Sequence, residues 1–233
     1  TKAIVISTLK FQEKSLIVKC FTQSHGLKSY FVRNAFSGKK NNQKIAYFQP
    51  LSILEIEAVH KNKGTLEHFK EIKTAIPFQT IHLDIVKSTM VLFLSQILHH
   101  AIHEEEQNED LFKYLETALQ WLDTHNETSN FHLILMLEIT KFLGFYPDTS
   151  DQDLPFFEMN EGVFSLFQAI SCLSEHESFL LKKLIDLRLD SDQKVFHVTE
   201  RQLLLKILID YYSFHLDGFK QPKSLEVLKE VFS

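Results

Sequence analysis

The sequence predicts an α+β protein: a five-stranded β-barrel over residues 1–80, then an all-helical domain over 81–233 that carries one small β-hairpin. Three observations predict it. Short runs rich in Ile, Val, Phe and Tyr fill the first 80 residues, whereas apolar residues recur at helical spacing from Ile81 onward. Charge changes sign at the same place. Residues 1–80 hold 13 Lys and Arg against 5 Asp and Glu, a balance of +8, and residues 81–233 hold 12 against 25, a balance of −13. Finally, 44% apolar and 24% charged side chains among 233 residues are the composition of a folded chain, and 21 Phe supply a sizeable core.

The strands are expected at Lys2–Lys10, Ser15–Thr22, Leu27–Arg33, Leu51–Val59 and Leu66–Thr74, with turn signals at His25-Gly26 and Asn62-Lys63-Gly64. Five strands in about 75 residues fit the five-stranded OB-fold, with an SH3-like barrel as the structural alternative. Val86, Met90, Phe93, Ile97 and Ala101 form the stripe of a first, largely buried helix. Leu111, Leu115, Leu119 and Leu122 form a one-sided stripe on a second, and Phe131 to Leu143 is a third, stopped by Gly144 and Pro147. Phe156-Phe157-Glu158 and Val163-Phe164-Ser165 flank Asn160-Glu161-Gly162 as a hairpin. Capping boxes at Ser174-x-x-Glu177 and Thr199-x-x-Gln202 start two further helices, and Leu225 to Phe232 is the last.

Most catalytic signatures are excluded. The six glycines stand singly, so there is no GxGxxG, GxxxxGK[ST] or GxSxG. The two cysteines, Cys20 in a strand and Cys172 in an expected helix, exclude a disulfide scaffold and a four-cysteine zinc site, and their low number suits a reducing compartment. The opening Ala3-Ile4-Val5-Ile6 lacks the succession of a secretory signal, and the uncharged stretch Ser88 to His103 is too short and polar to span a bilayer. His99 and His103, four residues apart and followed by Glu106, could hold a divalent metal, but a solvated helix end explains them more simply. No metal or cofactor is expected.

The basic half is more informative. Lys10, Lys14, Lys28, Arg33, Lys39, Lys40, Lys44, Lys61 and Lys63 cluster near strand ends and loops, with Phe11, Tyr30, Phe31, Phe36, Tyr47 and Phe48 between them. Cations that follow phosphates and rings on which bases stack are what single-strand binding requires. Strand alternation turns only one of Tyr30 and Phe31 outward, and Tyr30, whose hydroxyl tolerates water, is the expected one.

These residues carry a resemblance. Lys2-Ala3-Ile4-Val5-Ile6-Ser7, Phe11-Gln12-Glu13-Lys14-Ser15-Leu16-Ile17-Val18 and Phe21-Thr22-x-x-x-Gly26-Leu27 resemble the opening of the bacterial recombination mediator family RecO. Arg33-Asn34-Ala35-Phe36 lies where that family usually has Lys-Gly-Ala-Arg, and Gln49-Pro50-Leu51 enters the fourth strand. Leu143-Gly144-Phe145-Tyr146-Pro147, Phe157 to Phe164, His215-Leu216 and Pro222 to Leu228 are similar to its helical region, so the likeness covers nearly the whole chain. Gln12 and Asn34 replace usual glycines, and Phe36 replaces a basic residue. The zinc-binding cysteines of many relatives are missing between Pro147 and Phe164.

The resemblance implies an N-terminal OB-fold and a non-enzymatic role in recombinational repair, in the bacterial cytoplasm and associated with the nucleoid. It implies binding of single- and double-stranded DNA and annealing of complementary strands. With RecR, it implies help in loading RecA onto DNA coated by single-stranded DNA-binding protein. The acidic C-terminal tail of that protein is expected on the helical half, where Lys182, Lys183, Arg188, Lys220 and Lys223 are the densest cations. The alternatives are an OB-fold subunit of an RNA- or DNA-modifying enzyme and an adaptor that never touches nucleic acid.

Overall fold

Alternating apolar residues over the first 80 positions build the five strands β1 (Lys2–Phe11), β2 (Ser15–Thr22), β3 (Gly26–Val32), β4 (Ile53–Val59) and β5 (His68–Ile76). The computed structural model describes residues 1–36, 45–60, 66–102, 107–191 and 195–232. The strands form one antiparallel sheet in the order β3-β2-β1-β4-β5. A parallel bridge between Tyr30 and Glu67 closes it: the Phe31 N–H donates to the Glu67 carbonyl at 2.8 Å, and the Glu67 N–H to the Ser29 carbonyl at 2.9 Å. This circuit is an OB-fold barrel. β5 begins two residues later than expected because Glu67 is used in the closure.

β1 pairs with both neighbours, and its register with β2 shifts between Val5 and Ser7. The bulge bends the strand; Lys2–Ile4 pair with β4, while Ala3–Val5 and Ser7–Phe11 pair with β2. Ala3, Val5, Leu16, Val18, Cys20, Tyr30, Val32, Leu54 and Ile56 point inward and make the barrel core. Gln12 and Asn34, where the sequence lacks expected glycines, both hold a left-handed backbone at φ 53°. Asn tolerates that region; Gln stores about 1 kcal/mol of strain there.

The helices are α1 (Ile85–Ala101), α2 (Glu109–Thr124), α3 (Phe131–Leu143), α4 (Glu175–Asp186), α5 (Val198–His215) and α6 (Leu225–Val231), with the hairpin β6 (Phe156–Glu158) and β7 (Val163–Ser165) after α3. Asp84 caps α1 by accepting from the Val86 and Lys87 N–H groups at 2.8 and 3.0 Å. Gly144 ends α3 at φ 82°, and the Ser174–Glu177 box starts α4 as expected. The second box is displaced. α5 is capped at His197, whose N–H donates to Glu200 Oε2 at 2.7 Å, so Thr199 lies inside the first turn. Cys172 lies outside any helix, in an isolated bridge to Glu158.

Packing groups the chain into two compact units, 1–124 with 222–224 and 125–221 with 225–233. α1 and α2 therefore belong with the barrel: α1 packs on β1, and Phe112 of α2 meets Phe21 with ring centroids 5.9 Å apart. In the second unit, Tyr212 Oη donates to the Met136 carbonyl at 2.7 Å and Tyr211 Oη to that of Phe145 at 2.8 Å, tying α5 to α3 and its following turn.

Candidate nucleic-acid interface

The outer surface of β1–β2–β3 falls into two parts. Near the start of β1, Ile4 and Ile6 are buried although their neighbours Ala3 and Val5 already fill the barrel, so both strand faces are covered. From Thr8 onward β1 is exposed, and Leu9 and Phe11 reach 62% and 39% accessibility. The register aligns Leu9 with Ile17 and Ile17 with Phe31, a row of apolar side chains on the open part. Phe31 meets the rings of Phe11 and His68 edge-on at 5.9 and 6.0 Å.

Tyr30 is not on this surface, which corrects the expectation. It pairs with inward-facing Val18 and is fully buried, stacked on Phe69 with centroids 4.1 Å apart. Its hydroxyl meets His60 Nε2 at 2.7 Å. Desolvation raises the Tyr30 pKa, and burial together with nearby His25 lowers that of His60, so the pair is a neutral phenol donating to a neutral imidazole. Lys28 lies on the same inward side as Tyr30, opposite Cys20, and its charge also depresses His60. It stands five residues from Arg33, about 16 Å along the chain at about 3.3 Å each, and on the opposite face of the sheet from the outward row.

The other cations frame the apolar row. Lys10 Nζ lies 5.4 Å from the Phe36 ring centroid, while Lys14 at the β1–β2 turn and Arg33 just after β3 are exposed. Lys19, which the sequence reading passed over, shares the outward side of β2. Among the described residues none of Lys10, Lys14, Lys19 and Arg33 forms an ion pair, whereas on the β4–β5 side Lys70 pairs with Glu57 at 3.2 Å and Lys73 with Glu71 at 3.0 Å. Lys39, Lys40, Lys44, Lys61 and Lys63 lie outside the described residues. Beyond the Tyr30–Glu67 bridge, β3 and β5 bound a cleft of about 340 Å³. Half-buried Phe31, Tyr47 and Phe69 supply its aromatic wall, and exposed Arg33, His68 and Lys70 stand at its edge.

The remaining candidates carry less chemistry. Burial raises the Cys20 pKa, which keeps the thiol protonated and inert. His99 Nδ1 lies 3.4 Å from Ser7 Oγ, while His103 and Glu106 are outside the described residues. Among the described residues, no three or more His, Cys, Asp or Glu side chains are grouped to hold a metal. In the second unit three of the expected cations have internal partners. Lys182 donates to the Leu154 carbonyl at 2.6 Å, Lys183 to that of Val195 at 3.3 Å, and Arg188 to that of Ile185 at 2.9 Å. Lys220 is exposed, as is Lys223, which groups with the first unit. No helix among the described residues is long and apolar enough to cross a membrane.

Fold and surface together define a class: an OB-barrel protein with a basic, ring-bearing open face, continued by a helical region. Residues 1–78 match the family model of the recombination protein O N terminal, and residues 82–226 that of its C terminal. A DNA repair protein RecO from Flavobacterium johnsoniae is 75% identical over the whole chain and 98% of the relative's length. One from Flavobacterium psychrophilum is 73% identical and one from Christiangramia forsetii 41%, each over the whole chain and 98% of the relative. The chain belongs to the RecO family, and its role is in DNA repair and recombination.

Proposed function

We propose that the chain is a recombination mediator that acts by binding, without turnover of its own. It holds single- and double-stranded DNA on the open face of the barrel and anneals complementary strands. With RecR, it helps load RecA onto DNA coated by single-stranded DNA-binding protein, whose acidic tail docks on the helical region, all in the bacterial cytoplasm at the nucleoid. The observation that carries the DNA-binding part is the set Lys10, Lys14, Lys19 and Arg33, without ion pairs among the described residues, beside exposed Leu9, Phe11 and half-buried Phe31. Cations not held in ion pairs attract phosphates, and rings beside them accept bases. The partner assignments are supported by family membership. Annealing of complementary strands coated with the cognate single-stranded DNA-binding protein tests the proposal. Acceleration that fails when Lys10, Lys14 and Arg33 become Ala is the expected result. Metal-dependent turnover of DNA or RNA would instead favour an enzyme subunit.

A further inference from the structure

We infer that the β3–β5 cleft holds one unstacked nucleobase of single-stranded DNA, and that this pocket is what separates single- from double-strand binding; the inference rests on the DNA-binding reading above. The barrel creates the cleft by incomplete closure. β3 and β5 are joined at Tyr30–Glu67, and no further pairing between them occurs among the described residues. The chain ends of this seam therefore part, and side chains rather than a hydrogen-bond ladder line the gap.

The lining matches a nucleotide. Phe31 and Tyr47 offer partly exposed rings to the cleft, while Phe69 is held behind them by stacking on Tyr30 at 4.1 Å and Phe48 at 5.9 Å. A ring fixed by two others is a rigid stacking surface, and every base has a π-face to set on it. Arg33, without an ion pair among the described residues, stands where a flanking phosphate would lie; Lys70 on the other edge is paired with Glu57, but among the described residues no Asp or Glu lines the cleft itself. An aromatic peptide side chain would find the same rings, but the basic edge favours a polyanion. At about 340 Å³ the space is at the low end for a small-molecule site, enough for a base with its sugar and too small for a base pair. A base inside a duplex could enter only after leaving its stack, at a cost a single strand does not bear.

The test uses the full chain, a mixed-sequence single strand and the corresponding duplex. Phe31→Ala should weaken single-strand binding about 5- to 150-fold, the range for loss of one stacked base, and weaken duplex binding, which uses Phe31 only as part of the open face, by a clearly smaller factor. Phe31→Trp, which keeps a ring at the site, should retain single-strand affinity. After subtraction of the Trp121 signal measured in the unsubstituted protein, the fluorescence of this variant should be quenched by the single strand and not by the duplex. Equal losses on both DNAs for Phe31→Ala would overturn the pocket while leaving the DNA-binding reading in place. So would a Phe31→Trp variant that binds the single strand with no quenching of the introduced indole. An unsubstituted protein that binds neither DNA would overturn both.

Discussion

Removing the Asp123 carboxylate should be among the most damaging single changes in the first unit. This side chain is 9% exposed near the end of α2 and collects the chain that leaves β5. Its oxygens accept from the N–H of Gln79 at 3.0 and 2.9 Å, of Thr80 at 2.7 Å and of Ile81 at 3.1 Å, and from Thr80 Oγ1 at 3.1 Å. Its carbonyl accepts from Thr80 Oγ1 at 2.6 Å and Lys87 Nζ at 3.2 Å. A hydrogen bond to a charged group contributes about 1.5–3 kcal/mol. Three backbone donors on one carboxylate do not add independently, and water reaches some of them, so Asp123→Ala should cost about 3–5 kcal/mol. Asp123→Asn keeps one acceptor oxygen and should cost roughly half that.

The readout is built in, because Trp121, the single Trp, lies two residues away and reports urea unfolding of this unit. The pH dependence has a definite sign. Burial pushes the Asp123 pKa up, but the hydrogen bonds from Gln79, Thr80 and Ile81 outweigh it and leave the carboxyl below its ordinary value. A depressed folded pKa gives stability that is full above the unfolded value of about 3.9 and lost as pH falls through the folded one. The gap between the parent and Asp123→Ala should therefore narrow below about pH 4. A cost under about 1 kcal/mol at pH 7, or a gap unchanged on acidification, would refute the reasoning.

Three further outcomes are expected. Replacing Lys10, Lys14 and Arg33 together by Ala should flatten the log–log salt dependence of single-strand binding by about 2, at roughly −0.7 per phosphate; anisotropy titrations across a salt series measure it. In the β6–β7 turn, a Cβ on Gly162, whose φ is +69°, would stand 2.5 Å from Tyr211 Oη. Gly162→Ala should destabilise by about 2 kcal/mol or more, and combining it with Tyr211→Phe, which removes the obstructing oxygen, should cost less than the sum of the single changes in a denaturation double-mutant cycle. A labelled acidic peptide ending in Phe should bind the full chain, bind more weakly after Lys220→Ala with Lys223→Ala, and lose binding when its last Phe is removed; fluorescence titration would show an indifferent peptide at once.

Much of the fold was legible because local patterns dictate it. The strands, the buried stripe of α1 and the Ser174 cap follow from alternation, helical spacing and a strong capping residue. The Thr199 box misled because Thr caps better than His, while the pairing of Glu200 with the His197 N–H needs only a backbone donor. For Tyr30 and Phe31 the decisive signal was present and unused. Lys19 marks the outward side of β2, and a turn that pairs Thr22 with Gly26 sets Ile17 opposite Phe31 and Val18 opposite Tyr30. The Tyr hydroxyl pointed the wrong way because its partner, His60, comes from thirty residues further on. The cleft was beyond a local reading for the same reason: Phe31, Tyr47 and Phe69 meet only once the barrel closes. The carbonyls of Leu154 and Val195 that take up Lys182 and Lys183 likewise come from loops distant in sequence.

The placement of the interface follows from how this barrel deals with its edges. A five-stranded sheet has two edge strands, here β3 and β5, and an unpaired edge is a surface on which other chains aggregate. Joining β3 to β5 removes that hazard near Tyr30, while α1 on β1 and Phe112 of α2 on Phe21 cover part of the outer surface. Past the Phe31 N–H, which donates to the Glu67 carbonyl, β3 and β5 are not paired further among the described residues, and the side chains at that end are left uncovered. There Phe31, Arg33 and the β1 side chains from Thr8 to Phe11 stay partly or fully open, and the cations among them lack, among the described residues, acidic neighbours of the kind that neutralise Lys70 and Lys73. A basic, ring-lined seam repels other positively charged copies of itself yet admits a flexible polyanion. The part of the barrel left unprotected against strand addition is thus defended by charge, and under the proposed function the same charge would recruit DNA to it.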